Sequence, residues 1–82
     1  MEQKDRDRIL ELAEHNFRMR KLYEEHEYLE EKLSFYQKRP FLTRMEELEE
    51  KRLKLQKLRG VDEMMRILFH EDQRTVSEAL SA

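Results

Sequence analysis

Apolar residues recur at helical intervals on both sides of a single corner. Met19, Leu22, His26, Leu29, Leu33 and Tyr36 follow one another in alternating steps of three and four, the spacing of a heptad seam that turns one helix face toward a partner. Leu12 and His15 continue that line toward the N-terminus. After the corner, Leu48, Leu55, Leu58, Met65 and Phe69 form a second, weaker line, broken at seam positions by Lys51 and Asp62. The pattern predicts an all-α, coiled-coil-like antiparallel two-helix hairpin in a single domain. Its first helix spans about 5–38, its corner 39–43 and its second helix about 44–73, with a small polar end at 74–82 expected to fray.

The corner is written as Lys38-Arg39-Pro40-Phe41-Leu42-Thr43. Pro40 lacks an N–H and pushes Arg39 out of the α region, so the first helix ends near Lys38. Thr43-Arg44-Met45-Glu46 then fits a capping box, with hydroxyl and carboxylate each serving an orphan amide of the next helix. A connection this short makes the two helices antiparallel neighbours. Folding back there sets the glutamates between Glu24 and Glu31 opposite Lys51, Arg52, Lys54 and Lys57. It also sets Leu33 beside Leu48, Tyr36 beside Met45, His26 beside Leu55 and Leu12 beside Phe69.

A second set of apolar residues lies off the seam. Leu10, Phe17, Tyr28 and Phe35 fall within about 20° of one another on a helical projection, roughly 150° from the seam line. On the second helix Leu53, Val61, Met64, Ile67 and Leu68 likewise face away from the expected seam. One hairpin has one shared seam, so both backs call for further helices, most simply a second copy of the chain forming a helical bundle. Leu10, Phe17, Tyr28, Phe35, Leu53, Met64, Ile67 and Leu68 are therefore the expected self-association residues. Gly60 costs about 1 kcal/mol relative to Ala in a helix interior, and a break near it is the alternative to a continuous second helix.

Composition sharpens this picture. In 82 residues, 44% are charged and 38% hydrophobic, with one Gly, one Pro and no Cys; such a chain suits long solvated helices and leaves oligomerisation as the route to a larger core. The formal net charge is only -2, so no global field directs it to nucleic acid or anionic lipid. The charged N-terminal stretch has no apolar signal core, and a cytoplasmic location without membrane contact is expected.

Spacing argues against chemistry. The residues three before His15, His26 and His70 are Leu12, Tyr23 and Ile67, so the Glu-x-x-His pattern of helical di-iron sites is missing. His26-Glu27-Tyr28-Leu29-Glu30 lacks the second His of a zinc-protease helix. No metal, cofactor, small-molecule substrate or catalytic residue is expected, and the chain reads as a non-enzyme. The basic stretch Lys51, Arg52, Lys54, Lys57 and Arg59 is the alternative functional feature, a candidate nucleic-acid contact. Its side chains spread around most of the helix instead of forming a stripe.

The run from Leu22 to Leu33, with Leu22, Glu25, His26 and Leu29 at its centre, the proline corner, and Lys51-Arg52-Leu53-Lys54 followed by Asp62-Glu63-Met64 resemble the YdcH-like family of small bacterial proteins, a domain of unknown function. Met19 and Gly60-Val61 depart from that family's pattern. The resemblance implies a bacterial helical hairpin and no activity. Taken together, the expectation is a self-associating interaction or scaffold module, a homodimer or a partner for another helical protein. Within its seam His26 is expected to fix register and respond to pH.

Overall fold

The computed structural model describes the backbone of residues 2–81 and the side chains of residues 2–71. Among the described residues the chain is all-helical, with α1 (Gln3–Ala13), α2 (Phe17–Gln37) and α3 (Arg44–Ser81). The molecule measures 59 × 21 × 17 Å, its long dimension being that of α3.

The helix expected over 5–38 is two helices. The amides of Glu14, His15 and Asn16 return to the carbonyls of Glu11 and Leu12 and close α1. Asn16 is extended (φ -123, ψ 108), and its side chain accepts from the Met19 amide at 3.0 Å to open α2. Asn is among the best N-cap residues because its oxygen satisfies an amide the helix cannot. The reversal folds α1 back along α2: Arg6 of α1 reaches Glu30 of α2, and Ile9 and Ala13 cluster with Tyr23. Arg20 Nε donates to the Ala13 carbonyl at 3.3 Å, placing a cation at the C-terminal end of α1 where the helix dipole favours one.

The second corner forms as expected. Thr43 Oγ1 accepts from the Glu46 amide at 3.1 Å, and Glu46 Oε1 accepts from the Thr43 amide at 3.0 Å. Arg39 pairs with Glu46 across the same turn. From there α3 runs unbroken through Gly60 and on to Ser81, past the expected end near 73. No proline follows Pro40, and Gly60 keeps negative φ, so one glycine inside a long packed helix is a tolerable loss of propensity. The side chains of the tail expected to fray lie outside the described residues.

Two apolar clusters hold the helices together. At one end Ile9, Ala13, Met19, Tyr23, Met64 and Leu68 are buried, with Leu12, Leu22, Val61, Met65 and Ile67 packed around them. Nearer the corner Leu29, Leu33 and Leu53 are buried beside Tyr36. On α2 the expected seam is thus the inner face, with Met19, His26, Leu29 and Leu33 all buried.

On α3 the expected assignment is reversed. Leu53, Met64 and Leu68, expected on the self-association face, are buried against α1 and α2, and Ile67 is half-buried. Leu48, Leu55, Leu58 and Phe69, expected in the seam, are exposed; Met65 is half-buried. The pairings shift accordingly: Leu33 packs with Leu53 instead of Leu48, and Leu12 borders the Met64–Leu68 cluster instead of meeting Phe69. The cause is α1. A helix serving two neighbours needs a broad apolar face, and the wide row from Leu53 to Leu68 provides it, whereas a narrow heptad line fits one partner.

Candidate functional site

Two features stand out once the helices are in place: a buried imidazole where all three meet, and the apolar rows left outside.

His26 projects from the inner face of α2 and is 3% exposed. Glu30, one turn on, brings Oε1 to 3.0 Å from its Nε2, the nearest charged group to the ring. Glu30 Oε1 also lies 3.6 Å from the Arg6 guanidinium of α1 and 3.6 Å from the Lys57 ammonium of α3. Burial lowers the His26 pKa below its ordinary value of 6.5; Glu30 acts in the opposite sense, and Lys57 and Arg6 add to the lowering. The ring is consequently neutral at pH 7. It borders an open groove of about 330 Å³ between α2 and α3, lined also by Leu22, Leu29, Lys57 and Gly60. His26 therefore faces Lys57 and Gly60, not Leu55 as the sequence suggested. Tyr23, with its ring centroid 6.3 Å from that of His26, flanks the imidazole toward α1.

The outer row of α2 is where the sequence placed it. Leu10 at the end of α1, and Phe17, Tyr28 and Phe35 on α2, are exposed, Phe17 to 69% and Phe35 to 64%. Each ring carries a cation of its own chain: Lys21 lies 5.4 Å from the Phe17 centroid, Lys32 5.1 Å from Tyr28 and Arg39 5.9 Å from Phe35. Such contacts offset part of the cost of exposure, by about 0.5–1 kcal/mol each at surface sites. On α3 the exposed row is Leu48, Leu55, Leu58 and Phe69. Its regularity is visible in the sequence; its direction depends on the reversal at 14–16, which no proline or glycine marks.

The basic stretch is largely engaged. Arg52 pairs with Glu49 at 2.7 Å and Lys54 with Glu50 at 3.4 Å, both within α3, while Lys57 reaches Glu30. Among the described residues Lys57, through Glu30, realises the expected opposition of α3 cations to the acidic stretch of α2. A second cross-helix pair, Arg18 with Glu63 at 3.1 Å, fixes the other end. Among the described residues no group of three or more His, Cys, Asp or Glu converges on a metal-sized site, and no helix is long and apolar enough to cross a membrane.

No family model, curated protein or solved structure matches the chain.

Proposed function

We propose that the chain is a non-enzymatic interaction or scaffold module that works as a cytoplasmic homo-oligomer, most simply a dimer. The observation that carries this reading is the apolar surface left over after three helices have packed. Leu48, Leu55, Leu58 and Phe69 form an exposed line on α3, interrupted by Lys51 and Asp62, with Phe17, Tyr28 and Phe35 on the back of α2. Contiguous apolar rows rimmed by charge on a small protein mark contact surfaces, and so few residues give a monomer only a slender core. The YdcH-like resemblance belongs to the same proposal, since the residues that carry it lie on α2 and α3. A nucleic-acid role for residues 51–59 has less support, because Arg52, Lys54 and Lys57 already face carboxylates. Sedimentation equilibrium of the pure full-length chain tests the proposal. A mass of two chains is expected, and a 10.3 kDa species at every concentration overturns it.

A further inference from the structure

The exposed row of α3 has a two-fold pattern of its own. Leu48, Leu55, Asp62 and Phe69 recur every seven residues, and Lys51, Leu58 and Met65 repeat at the same interval three places later, so they occupy the a and d positions of a heptad. The line runs roughly 150° around the helix from the buried Leu53, Met64 and Leu68, at 100° per residue. Now take the midpoint between Gln56 and Lys57. Leu55 and Leu58 are equally distant from it, as are Lys51 and Asp62, and as are Leu48 and Met65. Turning the helix end for end therefore lays leucine on leucine, Leu48 on Met65 and lysine on aspartate.

We propose that a second copy of the chain docks on this row in antiparallel orientation, with the two-fold axis passing between Gln56 and Lys57. The inference rests on the self-association reading and gives it a surface and a geometry. An isologous contact needs a self-complementary surface, and this row is one. Lys51 meets Asp62 of the second copy, and the same pair recurs on the other side of the axis. Among the described residues neither Lys51 nor Asp62 has an ion-pair partner in its own chain, unlike neighbouring Arg52, Lys54 and Lys57. A parallel in-register pair would oppose Lys51 to Lys51 and Asp62 to Asp62. One polar layer in an apolar seam is a known means of setting register and orientation. Arg52, Arg59 and Arg66 flank the row at seven-residue spacing, and Glu49 and Glu63 on the same helix partly balance the first and the last of them before docking. Because α1 and α2 lie on the opposite side of α3, both three-helix units stay outside the contact. The α2 row has no such symmetry, and its rings already lie beneath cations.

The full-length chain in analytical ultracentrifugation, with circular dichroism to verify helix content, tests the geometry. Leu55→Glu with Leu58→Glu should raise the dimer dissociation constant about 100-fold or more, since both residues lie at the centre of the contact. Lys51→Asp alone, or Asp62→Lys alone, should weaken the dimer about tenfold by opposing like charges. The combined swap should restore it. This charge series also decides the matter if the double-Glu variant loses helix. Because the chain has no cysteine, Leu48→Cys and Met65→Cys supply a direct reading. Oxidation of their mixture should give a disulfide-linked dimer, and neither variant should cross-link alone. A dimer indifferent to all these changes, or one in which each cysteine variant cross-links by itself, overturns the antiparallel α3 contact and leaves self-association standing. A monomeric wild-type chain overturns both.

Discussion

Oε1 of Glu30 stands 3.0 Å from Nε2 of His26 and 3.6 Å from the cationic groups of both Arg6 and Lys57. One carboxylate thus links α1, α2 and α3. It does so beside an imidazole shut away from water, whose protonation would add a third cation to the two already facing Glu30. Burial at this junction favours the neutral imidazole, with Glu30 acting against it.

Acidification should therefore weaken the three-helix unit over a definite window. Burial holds the folded pKa of His26 below 6.5, so as pH falls through 6.5 the unfolded chain takes up a proton that the folded chain refuses. Stability drops by at most about 1.4 kcal/mol per pH unit from this one group. The loss stops once pH is below the folded value. Urea titrations between pH 7.5 and about 5 measure it, above the range in which carboxylates dominate. In His26→Leu the slope across that window should vanish. An unchanged slope would show that another group is responsible.

Glu30→Gln should separate the two roles of the carboxylate. Glu30 raises the His26 pKa against burial, so its loss should drive that pKa lower still, read from the imidazole proton shifts by NMR. The accompanying cost should be modest, about 0.5–1 kcal/mol, because the carboxylate is partly solvated and its ion pairs with it. A rise in the His26 pKa would refute this account of the junction.

The inner face of α2 was legible in the sequence because its steps of three and four run unbroken from Met19 to Tyr36, and Pro40 with the Thr43–Glu46 box located the corner. The reversal at Glu14-His15-Asn16 was not. No proline or glycine marks it, and Leu12 and His15 continue the heptad numbering straight across; Asn16 as an N-cap was the available signal. Without that turn α1 is no partner for α3, and a two-helix hairpin turns the other face of α3 inward. Its regular heptad line was sent inward, and the broader Leu53–Leu68 row was sent out. His26 was expected in the seam and is buried there, but the residues around it follow from three helices, not two.

Gly60→Ala should stabilise the protein. The glycine lies inside α3 with negative φ, and a Cβ there would meet nothing within 4 Å. Alanine then gains helix propensity and restricts the unfolded chain at no steric cost, a gain of about 0.5–1 kcal/mol. Thermal or urea denaturation should show it, with wild-type mass in sedimentation. A destabilised variant would mean that the groove beside His26 has to stay open for the helices to pack.

Ile9→Ala tests whether α1 is folded back. Ile9 has no exposed surface and lies among Ala13, Met19, Tyr23, Met64 and Leu68, so truncation should remove contacts on all three helices. Buried Ile→Ala changes cost about 2–5 kcal/mol where the surroundings cannot relax. Here they can, because an 11-residue helix can undock while α2 and α3 remain paired. The measured loss is then capped by the docking free energy of α1, and the variant should show faster amide exchange in residues 3–13 while the middle of α2 stays protected. Asn16→Ala, which removes the cap that starts α2 after the reversal, should cost about 1 kcal/mol. If residues 5–38 formed one straight helix, Ile9 would have no core to lose and position 16 would favour alanine over asparagine. Both substitutions would then be neutral or stabilising, so the sign of two denaturation midpoints distinguishes the folded-back chain from the straight one.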